Sequence, residues 1–195
     1  MKVLGLTGSI GMGKSTAAKA FRRLRVPVFD ADATVHRLQG LGGAAVRPIE
    51  AAFPGTTREG RVDRAALRAV ALADPAARKR LERIVWPLVR QAERAFLAAA
   101  RRRGARLAVL DIPLLLETGG ETRVDEVIVV SAPAAVQRSR VLARGSMSAA
   151  QFAAIRAAQM PDALKRRRAD RVVRTGLSRH EAQRQIRAIV RELRG

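Results

Sequence analysis

The 195-residue sequence predicts an α/β fold, a three-layer α/β/α arrangement around a five-stranded parallel sheet. Three observations predict it. The glycine-rich stretch Gly8-Ser9-Ile10-Gly11-Met12-Gly13-Lys14-Ser15-Thr16 joins an apolar run to a helical one. Five short apolar runs end in polar residues, as buried parallel strands do. Helical segments lie between these runs, as parallel crossovers require. Apolar residues make up 48% of the chain, enough for a substantial core.

The first strand is expected over Lys2-Val3-Leu4-Gly5-Leu6-Thr7, and a helix over Lys14 to Leu24. The stretch between them has the spacing G-x-x-x-x-G-K-[S/T] of a phosphate-binding loop. Gly8, Gly11 and Gly13 allow turns in which backbone N–H groups face phosphate oxygens. Lys14 meets the β- and γ-phosphates as a point charge, and Ser15 offers a hydroxyl to Mg²⁺. The following helix adds a favourable dipole for an anion.

Val26-Pro27-Val28-Phe29 reads as the second strand, ending in Asp30-Ala31-Asp32. Ligands of open α/β sheets bind beyond the carboxyl ends of strands. On an extended chain Asp30 and Asp32 point the same way, so they form a pair, or one acts while the other caps the next helix. Ala33 to about Arg83 is mostly helical, with loops at Gly40-Leu41-Gly42-Gly43 and Pro54-Gly55-Thr56-Thr57 and helix starts at Asp63 and Asp74-Pro75. Trp86-Pro87 breaks the pattern, and Pro87 starts a long helix closed by Gly104. The segment of about 33–103 is therefore expected to be a helical insertion.

Leu107-Ala108-Val109-Leu110-Asp111 is expected to be a central strand. Ile112-Pro113-Leu114-Leu115-Leu116-Glu117 then either faces a substrate or packs under a loop. Glu126 to Ser131 is the next strand, followed by a helix from Pro133 to about Arg144 that sets Arg140 and Arg144 four residues apart on one face. Gly145-Ser146-Met147 is a short connection. Ser148 to Gln151 and Ser178 to Glu181 read as capping boxes. Lys165-Arg166-Arg167-Arg168 is a basic run, read as a solvated helix face or part of a lid over the phosphates. Arg171-Val172-Val173 is the last strand, before a C-terminal helix to about Leu193.

Net charge is +21, with 38 basic residues of which five are Lys, leaving 33 Arg. Clustered cations favour nucleic acid through counterion release, but these are spread over most helices, and the six aromatic residues are too scattered for a stacking platform. No specific nucleic-acid partner is expected. Cysteine is absent, and no apolar run approaches a membrane span. The amino-terminal strand lacks signal-peptide character, so a soluble cytoplasmic protein is expected. His36 and His180 have no neighbours in the sequence that make a triad or metal site, and carry no expected chemistry.

Phosphoryl transfer needs a phosphate cradle, Mg²⁺, cations on the transferred group and a means of orienting the acceptor hydroxyl. The loop supplies the cradle, Arg140 and Arg144 the cations, and Asp32 the orienting carboxylate. The order of elements resembles the small-molecule kinase branch of P-loop proteins. Leu6 to Thr16, Asp30-Ala31-Asp32, Asp111-Ile112-Pro113-Leu114-Leu115-Leu116-Glu117, Gln137-x-x-Arg140-x-x-x-Arg144, Gln159 and Ala169-Asp170 together resemble the dephospho-CoA kinase family. The resemblance implies ATP-dependent phosphorylation of the ribose 3′-hydroxyl of dephospho-CoA. It implies a core of 1–32, 104–136 and 169–195, a CoA-binding insertion of about 33–103 and a lid of about 137–168. A monomer or weak homo-oligomer is expected. Carried over by position, Asp32 is the catalytic base or metal-positioning carboxylate, and Lys14 and Arg140 are phosphate-binding cations. Gly8 and Gly11 to Thr16, with Arg144, hold ATP. Asp32, Leu114, Leu115 and Glu117 face the acceptor. Ser15 and Asp111 hold Mg²⁺, Asp111 through water. Two residues depart from the family: Trp86 stands where His is usual, and Thr175 where Asn is frequent. The alternatives are a P-loop kinase for another nucleoside or small hydroxyl compound and a nucleotide-dependent nucleic-acid-binding protein.

Overall fold

A computed structural model describes residues 1–145 and 147–195, with the side chain of Leu72 set aside. The expected link at Gly145-Ser146-Met147 thus lies partly outside the described residues. The chain divides into two compact units, Met1–Phe29 with Ala99–Gly195, and Asp30–Ala98.

The first unit is built on a sheet whose strand order is β2-β5-β1-β6-β7. Strands β1 (Lys2–Thr7), β5 (Leu107–Asp111), β6 (Glu126–Ser131) and β7 (Arg171–Arg174) pair in parallel. Strand β2 spans Val28–Asp30, two residues later than expected at its start, because Pro27 has no N–H to give to a ladder. Its neighbour still bonds to the preceding segment, Val109 N donating to Pro27 O at 2.9 Å.

Alternation sorts the side chains of the strands onto two buried faces. Leu4, Leu6, Ile128, Val130 and Val173 share one cluster with α1 (Lys14–Arg23) and α9 (Arg179–Arg194). Within α9, Ala182, Ile186, Ile189 and Val190 recur at helical spacing on the buried side. Val127 and Val129 point the other way, onto Leu115 and Leu116. Gly5 allows that second face to close, since a Cβ there would stand 2.5 Å from Leu115 Cδ2.

Helices α6 (Ala134–Leu142), α7 (Ala149–Ala158) and α8 (Asp162–Arg167) fall between β6 and β7. Ser148 caps α7 in a full capping box. Ser178 caps α9, but Glu181 does not complete its box. Its carboxylate instead accepts from Arg184 and Gln185. The basic run is not uniformly solvated: Lys165 is 0% exposed while Arg166, Arg167 and Arg168 are exposed.

The second unit contains α2 (Ala31–Leu38), α3 (Val46–Ala52), the hairpin β3 (Thr57–Arg58) and β4 (Arg61–Val62), α4 (Arg64–Ala73) and most of α5 (Pro75–Arg102). Ile49, Phe53, Val62, Leu67 and Val85 form its core. The hairpin was not expected, because two-residue strands carry no periodicity. Its turn, Glu59-Gly60, has positive φ at both positions, 49° and 72°, as a tight two-residue connection demands. Pro87 neither breaks the pattern nor starts a helix. It lies inside the 28-residue α5. An internal proline costs about 3 kcal/mol, and the packing of Ile84, Val85, Leu88 and Val89 on either side of it holds the helix together.

Candidate active site

Gly8 to Thr16 leaves the carboxyl end of β1 and enters α1. Gly11 and Gly13 have φ of 75° and 93°, where a side chain is strained. A Cβ on Gly11 would also meet Val141 Cγ2 at 2.6 Å, while at Gly8 it would meet the side chain and carbonyl of Val130. The loop is thus held against β6 and α6. Among the described residues no acceptor engages the N–H groups of Gly11, Gly13, Lys14 or Ser15. Four free donors at a helix start make a cradle for anionic oxygens.

Met12 is bonded within the protein at three atoms. Its N donates to Ser9 O at 3.1 Å, its carbonyl accepts from Thr175 Oγ1 at 2.6 Å, and its buried sulfur accepts from Ala132 N at 3.1 Å. These bonds shape the loop. Thr16 N is also taken, donating to Gly13 O at 3.0 Å.

Lys14 Nζ lies 2.7 Å from Asp111 Oδ1, at the carboxyl end of β5. Ser15 is exposed. A hydroxyl and one strand-end carboxylate suit Mg²⁺, which takes one or two protein oxygens and completes its shell with phosphate and water. No group of three His, Asp or Glu among the described residues makes a metal site alone. The residues present therefore fit a nucleotide-borne Mg²⁺ rather than a resident metal.

Arg140 is on α6, and its Nη1 and Nη2 donate to Thr175 Oγ1 and Thr175 O at 3.2 and 2.5 Å. Arg144 is not on the same helical face, since α6 ends at Leu142. The two nevertheless line one pocket of about 330 Å³ with Gly13, Thr16, Thr175 and Arg179. Its charged lining is entirely basic, which favours an anionic ligand.

The segment after β5 divides. Leu114 is 37% exposed, whereas Leu115 is fully buried against the second face of the sheet. Leu115 is core and does not face an acceptor. Glu117 Oε1 lies 2.7 Å from Lys165 Nζ and accepts from Met160 N at 3.0 Å, which ties this segment to α8. Thr7 Oγ1 donates to Pro113 O at 2.9 Å and anchors its start.

Asp30 and Asp32 do not form an extended pair. Asp30 ends β2 and caps α2, accepting from Ala33 N at 2.9 Å, and Asp32 stands exposed in the first turn of α2. The two aspartates have separate surroundings because the chain turns into a helix between them.

Sequence reading assigned no role to two glutamines at the loop tip. Gln137 Nε2 donates to Ile10 O at 2.8 Å, and Gln159 Oε1 accepts from Ile10 N at 3.0 Å. Gln137 precedes Arg140 by three residues, so one helical face carries both, and that spacing was the available signal. Gln159 follows α7, and its only signal was its place among the residues that carry the family resemblance.

An anion cradle at a strand-to-helix turn, a lysine on a strand-end carboxylate and an arginine-lined pocket define a P-loop phosphotransferase. The pattern of the dephospho-CoA kinase family, CoaE, matches residues 2–188. A dephospho-CoA kinase of Mesorhizobium japonicum is 57% identical over 195 residues, covering all of this chain and 98% of its own length. One from Paramagnetospirillum magneticum is 64% identical over 166 residues, 85% of this chain and 78% of its own. Among solved structures, TT1252 from Thermus thermophilus superposes with a TM-score of 0.86 at 36% identity, covering 100% of this chain and 98% of its own. A dephospho-CoA kinase from Campylobacter jejuni, 20% identical with a TM-score of 0.68 over 98% and 97% of the chains, shares the fold. This chain belongs to the dephospho-CoA kinase family.

Proposed function

We propose that the protein transfers the γ-phosphoryl group of ATP to the ribose 3′-hydroxyl of dephospho-CoA, yielding coenzyme A and ADP. The observation that carries this reading is family membership over residues 2–188 together with a complete phosphate cradle, Lys14 and Arg140 in one compact unit. Gly11, Gly13, Lys14 and Ser15 present their N–H groups to the phosphates. Lys14 exchanges Asp111 for the β- and γ-phosphates, and Arg140 and Arg144 offset charge on the nucleotide side. Ser15 and Asp111 would hold Mg²⁺, which supplies charge neutralisation on the β- and γ-oxygens when bound.

Asp32 accepts the proton of the attacking hydroxyl or orients it. Asp30 is occupied as a cap, which leaves Asp32 available for this task. Leu114 and the insertion of about 33–103 receive the acceptor, and the segment of about 137–168 acts as a lid. No helix among the described residues is long and apolar enough to cross a membrane. The reading includes work in the cytoplasm as a monomer or weak homo-oligomer, with no specific nucleic acid.

Coupled ATP-consumption assays with dephospho-CoA, other nucleosides, small alcohols and oligonucleotides test this reading. Dephospho-CoA is expected to be the acceptor that turns over, with a product phosphorylated at the 3′ position by NMR. Turnover of another acceptor with none for dephospho-CoA overturns it.

A further inference from the structure

Thr175, the residue that follows β7, is where three separate parts of the nucleotide site meet. Its N donates to Ser131 O at 2.8 Å, extending the β6–β7 ladder by one bond. Its hydroxyl donates to Met12 O at 2.6 Å, inside the phosphate loop. The same oxygen accepts from Arg140 Nη1 at 3.2 Å, and the Thr175 carbonyl accepts from Nη2 at 2.5 Å. Its side chain also bounds Gly13, where a Cβ would sit 3.3 Å from Thr175 Oγ1. The residue is 6% exposed.

A threonine hydroxyl has one proton and two lone pairs. The proton goes to the loop carbonyl and a lone pair to the arginine. One side chain therefore sets the height of the phosphate loop and the orientation of the guanidinium together. Arg140 has five N–H donors, and Thr175 occupies two, which leaves three for a phosphate. Gripped along one edge, the fork cannot rotate away from the pocket it lines. A planar fork fixed before ligand arrives loses little freedom when the phosphoryl group is in flight.

We propose that Thr175 is a positioning residue for phosphoryl transfer, acting on turnover through Arg140 and on ATP affinity through Met12 and the loop. The proposal rests on the reading of Arg140 as a cation on the transferred group. Valine at 175 keeps the shape and deletes the hydroxyl, and serine keeps the hydroxyl.

The test measures kcat and the KM for ATP in wild type, T175V and T175S, and in the same series carrying R140A. In the Arg140 background T175V is expected to lower kcat roughly tenfold, the scale of one misplaced transition-state contact, and to raise the KM for ATP several-fold. T175S is expected to restore kcat to within about twofold. With R140A present, T175V still raises the KM for ATP but changes kcat by less than about twofold, since the group it positions is gone. An equal drop in kcat in both backgrounds, or a T175S variant as slow as T175V, overturns the proposal. A T175V variant with wild-type kcat and only a lower melting temperature does the same, because it makes Thr175 structural. If wild type does not turn over dephospho-CoA, the acceptor assignment falls, and the same comparison on slow ATP hydrolysis still decides Thr175.

Discussion

Lys165 Nζ lies 2.7 Å from Glu117 Oε1 with the lysine side chain wholly out of solvent. The pair joins α8 to the segment after β5, and the nearby bond from Met160 N to Glu117 Oε1 strengthens the joint. Deleting one partner leaves a charge buried without compensation. Glu117→Ala is expected to cost about 3–5 kcal/mol, whereas the apolar double replacement Glu117→Leu/Lys165→Met is nearly neutral. Urea denaturation of both variants measures this, and a loss below about 1 kcal/mol for Glu117→Ala contradicts it.

Asp111 is paired with Lys14 and is also the carboxylate assigned to Mg²⁺. Asp111→Asn is expected to raise the Mg²⁺ concentration for half-maximal turnover at least about tenfold, the usual loss when a metal's supporting oxygen is removed. Affinity for metal-free ATP should not fall, because Lys14 has lost a competitor for the phosphates. Mg²⁺ titrations and calorimetry with EDTA separate the two effects.

Asp32→Asn is expected to lower kcat by about 10²–10⁴, the range of a general base. ATP affinity should be nearly unchanged. Near-wild-type turnover removes Asp32 from the chemistry.

The two glutamines on Ile10 hold the tip of the phosphate loop from α6 and from the end of α7. Losing one such bond is worth about 1 kcal/mol. Gln159→Ala is therefore expected to raise the Kd for ATP about fivefold while leaving the melting temperature close to wild type. Calorimetry and a thermal melt check both parts.

Burial raises the pKa of Glu93 on α5, and Arg90 and Arg94 only partly oppose the shift. A carboxyl whose folded pKa lies above its unfolded value favours the protonated native state. Its contribution to stability is complete below the unfolded pKa and is lost as pH rises through the folded one. Glu93→Gln cannot ionise, so its stability relative to wild type should improve between pH 4 and pH 7.5. Denaturant melts across that range show it, and a constant difference refutes it.

Local chemistry wrote the phosphate loop plainly into the chain. Glycines at set spacings, a lysine and a hydroxyl residue between an apolar strand and a helix have one good geometry. The central strands were equally legible, since Leu107–Asp111 and Glu126–Ser131 are unbroken apolar runs. Pro87 misled because proline's helix-breaking tendency is a local preference, and here packing on both flanks outweighs it. Of the two readings offered for Asp30 and Asp32, the cap holds at Asp30 and the extended pair does not: alternation holds only while the chain stays extended, and α2 begins between them.

Sequence by itself therefore determined the α/β class, the phosphate cradle and, by resemblance, the family. Only the tertiary structure decided which polar groups serve the cradle and which serve the scaffold. Thr175 reaches Met12 across 163 residues of chain, and Gln159 reaches Ile10 across 149. Spacing cannot encode such contacts, because they exist only after parallel crossovers have brought the ends of β1, β6 and β7 side by side. The same topology buried Lys165 from within a basic run and drew Glu117 and Leu115 into the body of the protein, leaving Leu114 exposed.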